Sequence, residues 1–310
     1  MSSVAIKSFS LSSVTKNVCI FSSIILVITL YYFLNYNTII TSYINYIPST
    51  NIGPKQCNFS SIESDGWFCE SDSDWELRKV IDRIQNKRNR ISDSRHMFFQ
   101  NNWEPTIHCT FEQRIGNPGD GGKWICDIHR FTQMNMTNLL IYSFGSNGDF
   151  SFEKAVNKIL PKAEIHTFDI GYFTCPANVC IFHRARLGNG KNGDSKSLQT
   201  VMDELGHKSR SIHILKVDIE GGEYDLFEEL FNHLSDNQVT FPYIRQILFE
   251  IHLSGSIQSE ESTRRTHKLF ELFRANNYAI FHKEVNLYDA HSVCEFALIR
   301  LNPLFFISHR

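Results

Sequence analysis

The chain has 310 residues, of which 42% are hydrophobic and 21% charged, an ordinary globular composition with enough apolar residues for a sizeable core. Its net charge of −2 and the lack of any Lys/Arg run argue against nucleic acid as a partner.

Residues 1–17 carry Lys7 and Lys16 and read as a short cytoplasmic tail. The segment 18–38 begins VCIFSSIILVITLYYFL, and no charge appears before Lys55, which exceeds the roughly 20 apolar residues of a bilayer helix. With the basic residues on its N-terminal side, it reads as a single-pass type II anchor that sends the rest of the chain to the lumen of the secretory pathway or outside the cell. A cleaved signal peptide is the competing reading, but the apolar run is longer than such peptides use and lacks a small-x-small cleavage site.

Residues 39–74 are rich in Ser, Asn and Asp and read as a stem before a domain at 75–310. A packed N-terminal lobe is the alternative if its cysteines are bridged. Among the eight cysteines, Cys57 with Cys69 and Cys109 with Cys126 suit disulfides, whereas no pair has zinc-finger spacing, and no metal site is expected. The sequons at Asn58 and Asn135 fit the same oxidising compartment.

Within the extension 75–137, Leu77, Val80, Ile81 and Ile84 recur at helical spacing, which predicts an amphipathic helix over 75–91 with a basic outer face. The segment IHCTFEQRIGNPGDGGKWICD, 107–127, is a turn-rich loop that Cys109 and Cys126 can staple. A lid over a ligand is its functional alternative.

From Leu139 the pattern alternates strand and helix. Strands are expected at LLIYSF (139–144), EIHTFD (164–169), CIFHRARLG (180–188), IHILKVD (212–218) and RQILFEIH (245–252). Between them lie helices with Phe152, Ala155, Val156 and Ile159 on one stripe, then Ser197–Leu205, then Tyr224, Phe227, Leu230, Phe231 and Leu234. A helix at 262–276 with core residues Phe270 and Phe273 leads to a final hairpin, YAIFHKE and EFALIRL, one strand of which runs antiparallel to the rest. The fold class is α/β, a Rossmann-like, mostly parallel sheet of seven strands.

Gly145 and Gly148 enclose Ser146 and Asn147 between the first of these strands and its helix, where bare backbone and helix N–H groups can meet a ligand. Asp169 ends the next strand, where an acid accepts hydrogen bonds from ribose hydroxyls. Asp218, Glu220, Glu250 and His252 stand at the carboxyl ends of two neighbouring strands and are the candidate acid/base or acceptor-positioning set. Helix capping is the plain alternative for Glu220 and Glu223. His166, His183 and His213 alternate with apolar residues and read as packed or surface side chains.

The motifs GDGGKWICD, LLIYSFGSNGDFSFEKAV, HTFD, LKVDIEGGEYDLFEEL and ILFEIH resemble the class I S-adenosylmethionine-dependent methyltransferases. Within that class the chain is similar to FkbM-type enzymes and to the membrane-anchored methyltransferase-like proteins of animals. The resemblance implies S-adenosylmethionine as cofactor, with Gly145 to Gly148 around its methionine part, Asp169 on its ribose, and Asp218 to Glu223 at the transfer site. Ser143 departs from the class, which usually places an acid there. The acceptor is left open among a small molecule, a glycan and a secreted protein. Two other readings stand beside the enzyme: a non-catalytic binding protein on the same fold, and a glycosyltransferase using the DxD of Asp72-Ser-Asp74, which reads better as an acidic surface turn.

Overall fold

The structure is a computed structural model and describes residues 57–89, 97–133, 138–232, 242–253, 260–286 and 288–307. The expected tail and anchor, Asn135 and Leu234 lie outside the described residues. Among the described residues no helix is long and apolar enough to cross a membrane.

The extension begins with helix α1 (Asn58–Glu63), helix α2 (Asp72–Asn86) and a short helix α3 (Phe98–Asn101). Strands β1 (Glu112–Ile115) and β2 (Lys123–Cys126) then pair as an antiparallel hairpin, followed by the short helix α4 (Arg130–Gln133). The hairpin was not expected from the sequence. Its tip is the glycine-rich loop, and its second strand is tied to the main sheet by Gln246, which both donates to and accepts from the Cys126 backbone.

The main sheet contains β3 (Leu140–Phe144), β4 (Glu164–Asp169), β5 (Ile181–Arg184), β6 (Ile212–Val217), β7 (Ile244–His252), β8 (Tyr278–Val285) and β9 (Val293–Arg300). Their order is β5-β4-β3-β6-β7-β9-β8. Strands β3 to β7 are mutually parallel where they pair, and β9 inserts antiparallel between β7 and β8, so one strand of the seven opposes the rest. The expected third strand, 180–188, is shorter than its apolar pattern suggested, because β5 is a half-exposed edge strand.

Helices α5 (Ser151–Ile159), α6 (Leu198–Glu204), α7 (Glu223–Asn232) and α8 (Glu260–Ala275) connect the strands, and a final turn of helix, α9 (Pro303–Phe306), follows β9. Alternation divides the central strands between two cores. Tyr142, Phe144, Leu215, Val217 and Phe249 face Phe227, Phe270 and Phe273. Ile141, Ile214 and Leu248 face Phe152 and Val156 of α5 together with Trp67 and Trp75 of the extension. Both faces are covered, so the central strands are near-continuous apolar runs.

Two expectations for the extension need correction. Of the proposed stem 39–74, Trp67 and Phe68 are buried in the second core and Cys57 is bridged to Cys69, which is the packed-lobe alternative. In α2 the expected core stripe Leu77, Val80, Ile81 and Ile84 is exposed, and Trp75, Lys79 and Asp82 face inward. The inversion has an electrostatic cause. Glu63 accepts from Trp75 Nε1 at 2.8 Å and from Lys79 Nζ at 3.0 Å, while Arg274 grips both oxygens of Asp82. These buried polar groups are satisfied only with that face inward. The Asp72-Ser-Asp74 triplet is the first turn of α2: Ser71 caps the helix by accepting from Asp74 N, and Asp72 accepts from Phe59 N.

Candidate functional site

The strand order reverses between β3 and β6, and in open α/β sheets ligands bind outside the carboxyl ends at that switch. A cavity of about 570 Å³ lies there, within the range of small-molecule sites. Its lining includes Gly145, Ser146, Asn147, Asp169, Asp218, Glu220, Glu250 and His252, so eight of the nine expected site residues share one cavity. Gly148 is not in the lining; it supplies the positive φ that closes the turn.

The turn after β3 needs its first glycine. Gly145 has φ +79°, and a Cβ there would come within 1.5 Å of the Asp218 carbonyl oxygen. Its carbonyl oxygen accepts from Lys216 Nζ. Asp169 anchors the same turn: Oδ2 accepts from the backbone N–H of Ser146 and of Asn147, each at 2.8 Å, and Oδ1 accepts from Gly171 N. Burial opposes its charge, but these backbone donors hold its carboxyl below the usual range. Ser143 lies behind the turn, fully buried, with no hydrogen-bond partner for its hydroxyl among the described residues. It does not line the cavity.

The second group of candidates meets above β6 and β7. His252 places Nδ1 3.3 Å from Glu223 Oε1 and Nε2 3.4 Å from Glu220 and 3.7 Å from Glu250. Burial works against its charge, yet these carboxylates push it up to about 9, so it is an imidazolium at neutral pH. Glu220 occupies a positive-φ turn and its side chain is 84% exposed, which leaves it at the rim. Strand alternation cannot place it, because β6 ends at Val217. Glu223 is fully buried and accepts from Ile219 N and Gly221 N, so the capping role expected for this residue is present.

Lys123 completes the site, and sequence reasoning passed over it. It comes from β2, fully buried, with Nζ 3.1 Å from Asp218 Oδ2 and 3.0 Å from Glu295 Oε1. Burial alone would lower its pKa, but Asp218, Glu295 and Glu250 together raise it, so the ammonium keeps its proton. Three carboxylates thus share one buried cation. Asp218, also near Lys216, stays below the carboxylate range despite burial. Glu250 is pushed up to about 7 by burial and the Asp218 charge. Ligand-capable atoms of Asp218, Glu250 and His252 lie within 4.8 Å of one another, and Asp218 is paired with the Lys123 cation at 3.1 Å. Asp120 and Gly121 of the glycine-rich loop also line the cavity, while Asn117 bonds Ser151 Oγ and Asp149 at the start of α5. The loop is therefore both stapled, by the Cys109–Cys126 disulfide, and part of the cavity wall.

The lining carries the carboxyl groups of Asp120, Asp149, Asp169, Asp218, Glu220 and Glu250 against the cations Arg186, Lys216 and His252, a surplus of acid suited to a cationic ligand such as a sulfonium. Solved structures similar to this chain include a fibrillarin pre-rRNA processing protein from Methanococcus jannaschii, 11% identical, covering 59% of this chain and 72% of its own, with a TM-score of 0.37. A second is a ribosomal RNA methyltransferase from Plasmodium falciparum, 14% identical, covering 56% and 93%, with a TM-score of 0.33. A third is a Synechocystis magnesium protoporphyrin IX methyltransferase with its cofactor bound, 10% identical, covering 56% and 76%, at 0.31. No curated protein matches the chain significantly. The model of the methyltransferase domain family matches residues 58–300, nearly the whole described region. The chain belongs to that family and is a methyltransferase.

Proposed function

We propose that this chain is a membrane-anchored O-methyltransferase of the FkbM-like branch, working in the secretory lumen on a hydroxyl of a small molecule, a glycan or a secreted protein. When bound, S-adenosylmethionine supplies a sulfonium-activated methyl group for in-line displacement. Gly145, Ser146, Asn147 and Gly148 would hold its methionine part and Asp169 its ribose. Asp169 has the capacity for this at Oδ1, which among the described residues accepts only from Gly171 N, while Oδ2 takes the Ser146 and Asn147 N–H groups and the Ser146 hydroxyl.

The observation that carries the O-methyl assignment is Glu250. A hydroxyl needs its proton removed as the bond forms, and a base works best with a pKa near the ambient pH. Glu250 lines the cavity at about 7, raised by burial and by the charge of Asp218, which pairs with Lys123. His252, being charged, would position Glu250 and complement developing negative charge on the acceptor oxygen.

The lumenal placement rests on the anchor pattern of residues 18–38, on the exposed Asn58 of a sequon, and on the disulfides Cys57–Cys69, Cys109–Cys126 and Cys175–Cys180. Digestion of membrane vesicles from expressing cells tests it: the domain is expected to resist protease until detergent is added. The enzymatic reading is tested by calorimetry with S-adenosylmethionine, followed by transfer of labelled methyl into a lumenal extract. Binding without transfer would identify a binding protein, and the absence of both would overturn the proposal.

A further inference from the structure

Strand β4 opens Glu164-Ile165-His166, and residues two apart on a strand share a face, so a carboxylate and an imidazole project together. His207, just beyond the end of α6, joins them. Glu164 Oε1 lies 2.8 Å from His166 Nε2 and 3.2 Å from His207 Nε2. The ligand-capable atoms of all three residues fall within 4.8 Å of one another. The rest of each group is held from behind. His207 Nδ1 is 2.7 Å from the Tyr142 hydroxyl, His166 Nδ1 is 2.8 Å from His183 Nε2, and Glu164 Oε2 accepts from Arg210 at 2.7 Å.

An imidazole with one nitrogen facing a shared point and the other fixed by a hydrogen-bond partner is the arrangement that orients metal ligands. Tetrahedral zinc, with bonds of about 2.0–2.1 Å, sets its ligand atoms roughly 3.3 Å apart. The 2.8 and 3.2 Å separations need only slight spreading to admit it. Two imidazoles and one carboxylate suit zinc, whereas magnesium and calcium take oxygen ligands. Both histidines are buried, while the Glu164 side chain is 37% exposed and gives solvent ions an approach.

We propose that Glu164, His166 and His207 bind one Zn²⁺, with water as the fourth ligand. None of the three lines the cofactor cavity. Glu164 and Asp169 stand at opposite ends of β4, roughly 16 Å apart at strand rise. The metal would tie the start of β4 to the segment after α6 and take no part in methyl transfer.

The test uses the full-length chain in detergent, stripped with chelator and titrated with ZnCl₂, with MgCl₂ as the comparison. One zinc per chain is expected and no magnesium, with the visible d–d bands of a four-coordinate site when Co²⁺ replaces zinc. E164Q and H207Q should each weaken zinc binding at least about 100-fold, while H252Q, in the other carboxylate–histidine cluster, leaves it unchanged. Should either variant fail to fold, Y142F keeps all three ligands and removes only the support of His207, for an expected loss of about 10-fold. No stoichiometric zinc, or zinc binding lost in H252Q and kept in E164Q and H207Q, overturns the proposal. In the first case the three side chains are a hydrogen-bonded network in which both imidazoles donate to Glu164. Metal content is read without any methyl-transfer assay, so this result stands apart from the proposed activity.

Discussion

The two edges of the sheet gather similar side chains into clusters with opposite electrostatics. At the carboxyl edge His252 faces Glu220, Glu223 and Glu250 and is charged at neutral pH. At the amino edge His166, His207 and Arg210 contact the single Glu164, His183 bonds His166 from behind, and burial and neighbouring positive charge hold His183 and His207 below the ordinary histidine range. The ratio of acids to bases decides the chemistry in each case. Burial and the crowding of carboxylates around Lys123 raise Glu295 and bring Glu250 to where it can exchange a proton at neutral pH. At the amino edge imidazoles outnumber the acid, and imidazole nitrogen is the commonest metal ligand.

The largest effect expected from this contrast is on E250Q. If Glu250 takes the acceptor proton, glutamine in its place should lower kcat/KM by about 10²–10⁴-fold with cofactor affinity unchanged by calorimetry. In the wild type the rate should rise with pH through about 7, as the carboxyl loses its proton. A variant that keeps the wild-type rate would reduce the carboxyl edge to a structural ion network.

Next in size is K123M, which leaves Asp218 and Glu295 buried without their shared cation. Removing one partner of a buried pair costs about 3–5 kcal/mol. The deficit should be greatest near pH 8 and shrink towards pH 5, because the folded variant then takes up protons that the unfolded chain does not. Denaturant melts at the two pH values measure it. A deficit independent of pH would mean that Lys123 acts by packing, and the proposed charge balance would fall.

These residues also mark how far the sequence could be read. The central strands were legible because both faces of the sheet are covered, which makes runs such as Leu140–Phe144 continuously buried and nearly all apolar. Asp218, Glu250 and His252 were legible because they end such runs. Lys123 was not: a lysine beside Trp124 in a glycine-rich hairpin has the look of a surface residue, and only the packing of β2 on the sheet through Gln246 brings it to Asp218. Helix α2 misled for a related reason, since Glu63 and Arg274, which draw Lys79 and Asp82 inward, lie outside the helix. His166 read as a packed or surface side chain and is buried, and nothing in the spacing linked it to His207 across an intervening helix.

A third, smaller effect sharpens the carboxyl-edge half of the comparison. His252 has a folded pKa of about 9 against about 6.5 when unfolded. A raised folded value means its contribution is complete below pH 6.5 and is lost as pH rises to 9. The stability gap between wild type and H252Q should therefore close across that window, by at most about 3 kcal/mol. A gap that stays constant or widens would show that the imidazole is neutral and that the two edges do not differ in the way described.

The smallest effect tests the amino edge without touching a candidate ligand. Y142F removes the hydroxyl 2.7 Å from His207 Nδ1 and nothing else in the cluster. In chelator the loss should be about 1 kcal/mol of folding stability, the net worth of one buried hydrogen bond. With zinc present the loss should grow, since the same hydroxyl orients the ligand and its removal weakens metal affinity by about 10-fold, a further ~1.4 kcal/mol. The increment, read from melts with and without zinc, separates a metal site from a hydrogen-bonded network, for which the two deficits are equal. Methyl transfer should stay near the wild-type rate, because the Tyr142 side chain lies in the core and does not line the cofactor cavity. If transfer falls more than zinc affinity does, the two edges are coupled through β3, and the division of labour between them is wrong.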